Sequence, residues 1–203
     1  MKDGLSHAPP ADGPRETRAR KGLPLAAAAA VLAAAAFELR LQGRLWVCEC
    51  GRVLPWVGDA WSPDTSQHLF DPYTFTHVLH GLAFCGLLAL LLPRARWRWR
   101  LVLAVSAEAL WEVIENTDFV IRRYREATAA LGYKGDTIVN SLGDVVACAL
   151  GFLVARRLGL LRSALLFAAT ELALLFWIRD SLVLNIILLL YPSEKLRAWQ
   201  AGR

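Results

Sequence analysis

The sequence places two histidines three residues apart inside a long apolar segment. On a helix, with about 100° per residue, the side chains of His77 and His80 lie about 60° apart and share a face. An ionisable side chain inside a membrane costs about 2.5 kcal/mol or more, so such residues tend to face the interior of a bundle. Imidazoles bind divalent metals and exchange protons near neutral pH. The pair therefore indicates a metal-binding or acid–base site within the membrane.

Two later apolar segments each contain a stripe of polar side chains, mostly carboxylates. The members of each stripe recur every three or four residues, so each stripe follows one face of a helix. Imidazoles with carboxylates are a ligand set for zinc or another divalent metal, and an open coordination position would activate water. Crowded carboxylates suit a general acid or a proton relay equally well. The stripes are Glu108, Glu112 and Glu115, and then Asp136, Asn140 and Asp144.

We predict that these side chains form one site with three kinds of role. The alternative is that the histidines and carboxylates only neutralise one another as buried hydrogen-bonded pairs. The predicted metal ligands are His77, His80 and Asp144; the predicted catalytic residues are Glu112, Glu115, Asp144 and His80; the predicted substrate-binding residues are Arg122, Arg123, Arg125, Asn140 and His68.

The composition favours a membrane protein. Of 203 residues, 56% are apolar and 20% are charged, which argues against a disordered or an ordinary soluble chain. Apolar segments of about 17 to 25 residues match the length of a membrane-spanning helix. The formal net charge is +5, but Lys and Arg cluster between apolar segments, as they do in membrane proteins. They do not follow one face as in a nucleic-acid-binding surface, so we expect a lipid bilayer and no nucleic acid as partner.

We predict an all-α, polytopic transmembrane bundle of about five spans, formed by residues 23–192. A disordered cytoplasmic tail, residues 1–22, precedes it, and a short tail, residues 193–203, follows it. The apolar piece 181–191 is too short to cross a membrane alone. It either continues the fifth helix or forms a short returning or interfacial helix. The predicted spans are 23–39, 72–92, 101–121, 136–155 and 163–178.

The first span has an alternative interpretation. Basic residues before it and the Ala-x-Ala pattern at 33–36 also fit a secretory signal peptide. Phe37, Glu38 and Arg40 follow, as at the exit of a signal anchor, so we expect an uncleaved span.

Basic loops, which tend to face the cytoplasm, give the expected orientation. The loops 93–100 and 156–162 contain arginine and no acidic residue, so both are expected inside, with the N-terminus. The loop 42–71 is net acidic and is expected outside. In the inner membrane of a bacterium this orientation brings both histidines, the stripes and Asp180 toward the outer side. It predicts one polar cavity that opens to the outer face.

One loop departs from the charge rule. Residues 122–135 are basic, although the alternation of spans places them outside. Either short loops tolerate exceptions or a span is miscounted; the functional alternative is that its arginines bind an anionic headgroup or phosphate.

His68, just before the second span, is either a solvated loop histidine or a residue that closes over the cavity mouth.

The four cysteines are too few and too scattered for a disulfide scaffold. Cys85 and Cys148 lie in apolar segments and are expected to be small core residues. Cys48 and Cys50 are too closely spaced for an easy mutual disulfide. We expect two loop thiols there, with a redox role as the alternative.

The strings Tyr73 to Gly81, Trp111 to Asn116 and Asn140 to Asp144 lie within residues 44–201. With these strings, residues 44–201 resemble an uncharacterised family of bacterial multi-pass membrane proteins that is classed as a domain of unknown function. The resemblance implies a location in the cytoplasmic membrane and no known activity. A weaker likeness, based on the acidic stripe followed by Asp-x-x-x-Asn-x-x-Gly, is to small membrane proteins related to the teicoplanin-resistance factor VanZ. The strings that support the family resemblance are Ser66-Gln67-His68, Tyr73 to Gly81, Trp111 to Asn116, Arg123-Tyr124-Arg125, Gly135-Asp136, Asn140 to Asp144, Ile178-Arg179-Asp180 and Trp199-Gln200.

Three functions remain open from the sequence. The first is a membrane-embedded, metal-dependent hydrolase or transferase that acts on a lipid or lipid-linked envelope precursor. The second is a small proton-coupled transporter, in which the carboxylate stripe relays protons. The third is a non-catalytic envelope assembly factor whose polar stripes hold helices together.

Overall fold

The computed structural model describes residues 18–130 and 132–202, and these form eight helices and no strand. The all-α class is therefore confirmed. The helices are α1 (Arg18–Leu41), α2 (Thr74–Leu91), α3 (Trp97–Glu115), α4 (Asp118–Ala127), α5 (Ile138–Leu158), α6 (Leu160–Ile178), α7 (Leu182–Leu190) and α8 (Glu194–Gln200).

Four helices are long and apolar enough to cross a membrane, and they fit a membrane protein. They are Gly22–Leu41 within α1, α2, α5 and α6. Helix α3 has the required length, but three glutamates and two arginines lower its hydropathy. Helix α3 packs against α1, α2 and α5, which buries Glu108 and Glu112, whereas Glu115 is half-buried.

The third predicted span is wrong at its end. Helix α3 stops at Glu115, and a new helix begins at Asp118, after two intervening residues. The Thr117 side chain accepts a hydrogen bond from the Val120 N–H, which is a typical N-cap. The negative charge of Asp118 in the first turn interacts favourably with the positive end of the helix dipole. Residues 118–127 are therefore a short amphipathic helix, not the end of a span followed by a loop.

Helical structure also extends beyond the predicted ends of the bundle. Helix α1 begins at Arg18, inside the segment expected to be a disordered tail, while residues 1–17 lie outside the described part of the chain. Helix α8 lies within the C-terminal tail and is capped by Ser193, whose side chain accepts from the Leu196 N–H.

Helices α2 and α5 form the centre of the bundle and pack in direct backbone contact. A Cβ atom at Gly81 would overlap the carbonyl oxygen of Cys148, and one at Gly151 would overlap that of Val78. Glycine is required at both positions because any side chain would force the helices apart. This contact brings the N-terminal halves of α2 and α5, which bear the polar residues, close together.

Helix α7 returns toward the bundle instead of continuing α6. Arg179 adopts the left-handed conformation, with φ of 54°, and ends α6. The N–H groups of Leu182 and Val183 then donate to the carboxylate of Glu171, at 2.9 and 3.1 Å, so the start of α7 lies beside the body of α6. Of the two interpretations of residues 181–191, the structure selects the returning helix.

The loop between α1 and α2 contains a disulfide between Cys48 and Cys50. The expectation of two loop thiols was therefore wrong. A single intervening residue allows the bond because the loop turns there: Gly51, with φ of 71°, donates its N–H to the Cys48 carbonyl. Cys148 is buried and Cys85 half-buried, both as free thiols.

Candidate functional site

Both histidines of α2 bind the same carboxylate. His77 Nδ1 lies 2.6 Å from Glu108 Oε1, and His80 Nδ1 lies 2.9 Å from both oxygens of Glu108. An ionised carboxylate can only accept, so both imidazoles donate from Nδ1 and keep the lone pair on Nε2. Glu108 is fully buried, and this arrangement fixes both rings. A carboxylate that holds Nδ1–H in this way is the usual partner of a metal-binding histidine.

Two further carboxylates lie near the His77 ring, Asp144 at Nε2 and Glu112 at Nδ1. His77 Nε2 lies 3.7 Å from Asp144 Oδ2, and His77 Nδ1 lies 3.2 Å from Glu112 Oε1. The first distance is too long for a hydrogen bond. It is close to the roughly 3 to 4 Å between two ligand atoms of one zinc ion with bonds of about 2.0–2.2 Å. Donor atoms of these three residues all lie within 4.8 Å of one another.

Several carboxylate oxygens of this cluster have no hydrogen-bond partner among the described residues. They are buried oxygens of Glu112, Glu115 and Asp144. Leaving a buried polar atom unpaired costs about 1–3 kcal/mol, and more for a charged group. Within the described part of the chain, Glu112 and Asp144 pair only with His77. The cluster therefore has an excess of negative charge that a cation or bound protons would balance.

Asn116 connects this cluster to the start of α5. Its amide nitrogen donates to Asp136 Oδ2 at 2.9 Å, and its amide oxygen accepts from the Asp136 N–H at 2.7 Å. The Tyr133 hydroxyl donates to Asp136 Oδ1 at 3.0 Å. Burial raises the pKa of Asp136 in spite of these hydrogen bonds. Asp136 lies within reach of Glu112 and Glu115 as a third donor group.

A cavity of about 570 Å³ opens beside the cluster. Its polar wall includes His77, His80, Glu115, Asp144 and Asp180. The rest of the lining is largely apolar and aromatic, and α7 supplies much of it; these residues include Trp61, Trp111, Leu182, Ile186 and Leu189. The volume falls in the range of small-molecule binding sites, about 300–1,000 Å³.

Asp180 lies in this cavity wall, between α6 and α7. Its carboxylate accepts from the Ser181 N–H at 2.9 Å, from Asn185 Nδ2 at 3.2 Å and from the Tyr73 hydroxyl at 3.4 Å. Burial raises the pKa of Asp180 to about 7, and the hydrogen bonds only partly oppose this. Asp180 therefore titrates near neutral pH at the cavity.

The structure brings together His77, Glu112 and Asp144, and places His80 and Glu115 in the same cavity wall. His80 binds Glu108 and does not join the donor group of His77 and Asp144. The predicted metal set of His77, His80 and Asp144 stays a prediction; donor atoms of His77, Glu112 and Asp144 form one group, and those of His77, His80 and Glu108 form another.

The predicted substrate-binding residues lie elsewhere. Arg123 donates from Nε to the Leu189 carbonyl at 2.8 Å, and Arg125 donates to the Tyr133 carbonyl. Arg122 is exposed and borders a separate groove with Arg123, Phe119 and Leu190. Asn140 is buried in α5, with its amide nitrogen unpaired.

His68 is neither solvated nor part of the cavity lining among the described residues. It is 2% exposed, and its Nδ1 accepts from the Leu54 N–H at 3.2 Å. Its neighbours Ser66 and Gln67 line the cavity instead.

Sequence reasoning missed three participants. Glu108 has no role among the predicted site residues, although its place on the same stripe as Glu112 pointed to it. Asn116 and Tyr133 lie beyond the end of α3 and before α5, and nothing in their local pattern indicates that the chain brings them to Asp136.

Comparisons with known proteins place this arrangement in a family. The family model described as "Protein of unknown function (DUF2585)" matches residues 39–202. The chain belongs to this family.

The matches to relatives cover most of this chain and almost the whole length of each relative. A UPF0314 protein of Rhizobium meliloti (strain 1021) is 44% identical over 183 residues, covering 90% of this chain and 93% of the relative. A UPF0314 protein of Paracoccus denitrificans (strain Pd 1222) is 42% identical over 189 residues, covering 93% and 98%. A third, from Sphingopyxis alaskensis, is 42% identical over 176 residues, covering 86% and 93%. No solved structure matches the chain.

Proposed function

We propose that this chain is a metal-dependent hydrolase or transferase of the bacterial inner membrane that acts on a lipid or lipid-linked envelope substrate. The observation that carries the proposal is the set of unpaired, buried carboxylate oxygens around His77, at the wall of a cavity that is part polar and part apolar. If these polar side chains only paired with one another to hold the helices together, neither the unpaired oxygens nor the cavity would be expected.

A divalent cation such as zinc would be held by His77, Glu112 and Asp144. The donor set fits because His77 keeps its Nε2 lone pair and the two carboxylates have free oxygens. Bound there, the ion would lower the pKa of a coordinated water and polarise a phosphoryl or carbonyl oxygen. Glu108 orients both imidazoles, which is the role of the outer partner in metal sites.

The remaining side chains of the cavity can move protons. Glu115 lies between the cluster and the cavity, beside Asp136, and suits a general acid or base. His80 lines the cavity and is hydrogen-bonded to the same Glu108 as His77. Proton transfer at one imidazole would therefore change the charge environment of the other. Burial raises the pKa of Asp180, which also lines the cavity, to about 7. These residues would bind and protonate the leaving group of a substrate.

The shape of the cavity supports an amphipathic substrate. The walls formed by α7, Trp61 and Trp111 would contact an acyl or polyprenyl chain, and the polar wall would contact a phosphate or sugar headgroup. Lys134, which is exposed and lines the cavity, would contact an anionic headgroup, and Arg122 borders the separate groove at α4.

The distribution of charge supports an outward-facing cavity and a cytoplasmic N-terminus. The C-terminal end of α5 meets the N-terminal end of α3, where Arg156 stacks on the Trp97 ring at 4.2 Å. The two arginine-rich loops therefore share one end of the bundle, opposite the cavity, as expected for the cytoplasmic end. A disulfide at the cavity end agrees with an oxidising compartment.

Metal analysis tests the proposal directly. The full-length protein in lipid nanodiscs is loaded with Zn²⁺ or Mn²⁺, dialysed and measured by mass spectrometry. We expect about one ion per chain in the wild type, and a loss of at least tenfold in Glu112→Gln and in the His77→Ala, His80→Ala double variant. Glu126→Gln, which changes an exposed carboxylate of α4, is the matched control and should keep the ion.

Equal and negligible metal contents in the wild type and the double variant would contradict the proposal of a metal-dependent enzyme. Glu112→Gln preserves side-chain shape, so a loss of metal with unchanged elution in size-exclusion chromatography separates ligand loss from misfolding. Incubation of the loaded protein with bacterial lipid extract, followed by mass spectrometry of the lipids, then identifies a cleaved or transferred headgroup.

A proton-coupled carrier is supported less well. The cluster could relay protons, since His77 and His80 share one carboxylate. A carrier also needs polar groups toward the opposite end, but α2 beyond His80 consists of apolar residues, glycine and Cys85.

A further inference from the structure

A second cluster of reactive side chains lies in the loop between α1 and α2, apart from the cavity. It consists of the Cys48–Cys50 disulfide and His68. One nitrogen of the His68 ring and both sulfur atoms all lie within 4.8 Å of one another. Cys48 is buried and Cys50 is exposed, so Cys50 is the more accessible of the two cysteines.

The hydrogen bonds of His68 determine which nitrogen is available. Nδ1 accepts from the Leu54 N–H, so the neutral ring has its proton on Nε2. Nε2 is buried and has no hydrogen-bond partner; the Asp64 carboxylate, its nearest recorded acid, is 4.0 Å away. A buried N–H donor without an acceptor is costly. A thiolate formed by opening the disulfide would be an acceptor for it.

The disulfide has little value as a structural crosslink. Disulfides stabilise mainly by closing a loop of the unfolded chain, and the gain grows with loop length. Only one residue separates Cys48 from Cys50. Loop closure therefore does not explain this bond, whereas an exposed sulfur next to a buried donor fits an exchangeable one.

We propose that Cys48 and Cys50 form a redox-active pair that oxidises dithiols at the cavity end of the bundle. A thiolate of the partner attacks Cys50 Sγ, a new S–S bond forms, and the Cys48–Cys50 bond breaks. Its electron pair leaves on Cys48 Sγ, which accepts a hydrogen bond from His68 Nε2–H.

The second thiol of the partner, after losing its proton to solvent, attacks the partner sulfur of this mixed disulfide. Cys50 leaves as a thiolate and takes a proton from solvent. The partner loses two electrons and two protons and becomes a disulfide, and the Cys48–Cys50 pair gains two electrons. His68 is a positioning residue in this exchange, since it stabilises the reduced pair without bonding to the partner.

The redox equilibrium of the full-length protein tests this assignment. The protein in detergent is equilibrated with glutathione buffers of graded potential, quenched in acid, denatured and labelled with a maleimide–polyethylene glycol. Cys85 and Cys148 are free thiols and provide a constant background of labelling. We expect the wild type to gain two further labels across the range of these buffers.

Replacing His68 separates a redox role from a structural one. In His68→Asn the side-chain oxygen can still accept from the Leu54 N–H, but the Nε2–H donor is lost. We expect the equilibrium to shift toward the disulfide by about tenfold, equivalent to about 30 mV. Val53→Ala, an exposed residue of the same loop, is the matched control and should leave the equilibrium unchanged.

The proposal is overturned if the pair remains oxidised in the most reducing buffer, or if His68→Asn and Val53→Ala have the wild-type equilibrium. Single cysteine variants check the order of attack. With oxidised glutathione, Cys48→Ser should form a mixed disulfide at the exposed Cys50 several times faster than Cys50→Ser forms one at buried Cys48. Equal rates would contradict the assigned roles, and neither comparison depends on the metal or on the proposed reaction in the cavity.

Discussion

Glu108 is the residue that organises the polar centre. It is fully buried, and its two oxygens accept hydrogen bonds from two imidazoles on the neighbouring helix. This single carboxylate decides which nitrogen of each histidine is free to bind another group. The helical spacing of the glutamates predicted that they share a face, but it could not tell which of them meets the histidines, because that depends on the relative height of α2 and α3.

Replacing Glu108 by glutamine should weaken metal binding without removing a proposed ligand. The amide has one acceptor oxygen and cannot serve two Nδ1–H donors equally, so at least one ring loses its fixed orientation. We expect metal affinity to fall by about 10- to 100-fold. Competition with a fluorescent chelator measures this, and Glu126→Gln is the control. An unchanged affinity would show that Glu108 does not orient the ligands.

Asp180 should make the stability of the protein depend on pH. Its folded-state pKa of about 7 lies above the value of about 3.9 in an unfolded chain, so the folded state binds the proton more tightly. The contribution of Asp180 to the free energy of unfolding is therefore greatest below about pH 4. This contribution falls as the pH rises to about 7.

The variant Asp180→Asn should reduce the slope of stability against pH. Asn185 Oδ1 has no hydrogen-bond partner and can accept from the new amide, so the local hydrogen bonds survive. The measurement is the thermal unfolding midpoint in detergent at about pH 5 and about pH 8. Burial also raises the pKa of Asp71 and Asp136, so a reduced slope is expected, not a flat one. A slope equal to that of the wild type would contradict the assignment.

At the scale of elements, α7 is held at both ends by charged side chains from other helices. Glu171 of α6 accepts from its first N–H groups, and Arg123 of α4 donates to the carbonyls of Leu189 and Leu190 at its last turn. A negative group at the N-terminus and a positive group at the C-terminus both match the helix dipole. Because α7 forms a wall of the cavity, these contacts maintain the shape of the site.

Arg123→Gln should therefore loosen α7. Hydrogen–deuterium exchange of residues 182–190 is expected to rise several-fold, because the terminal carbonyls lose a charged donor that contributes about 1.5–3 kcal/mol. Arg122→Gln is the matched control, since Arg122 is exposed and adjacent in sequence. Equal exchange in both variants would mean that Arg123 does not hold the helix.

The central contact of α2 and α5 makes a sharp prediction about glycine. Gly81→Ala should lower the unfolding midpoint strongly, because the new methyl group meets the backbone of α5, which cannot move aside. Gly86→Ala, on the same helix, meets only Leu160 Cδ1 at 3.8 Å and should be neutral or stabilising by up to about 1 kcal/mol. Thermal unfolding of the two variants in detergent gives the comparison. Similar melting in both would argue that the helices are not in backbone contact.

The elements themselves were partly predictable. Apolar length located α1, α2, α5 and α6, because a helix that crosses a membrane needs about 20 apolar residues. The break at Asn116 and Thr117 was not recognised, since Phe119, Val120 and Ile121 continue an apolar pattern. The capping by Thr117 outweighs that pattern locally. The return of α7 depends on Glu171, whose distant partner no local pattern reveals.

At the scale of the whole molecule, the basic loops gather at one end and the cavity lies at the other. If the N-terminus is cytoplasmic and α3 spans together with the four apolar helices, the C-terminus lies outside. Alkaline phosphatase fused after Gly202 should therefore be active in the periplasm. A fusion after Ala95, in an arginine-rich loop, should be inactive. The reverse pattern would invert the orientation and place the cavity in the cytoplasm.

The shared carboxylate also has a consequence for synthesis. Glu108 follows His80 by 28 residues and His77 by 31 residues along the chain. When α2 leaves the ribosome, its imidazoles therefore have no acceptor, and Asp144 is more distant still. A nascent chain that released α2 into lipid alone would expose two polar rings to hydrocarbon. Biogenesis of this protein is thus expected to retain α2 at the insertion machinery until α3, and then α5, has been made.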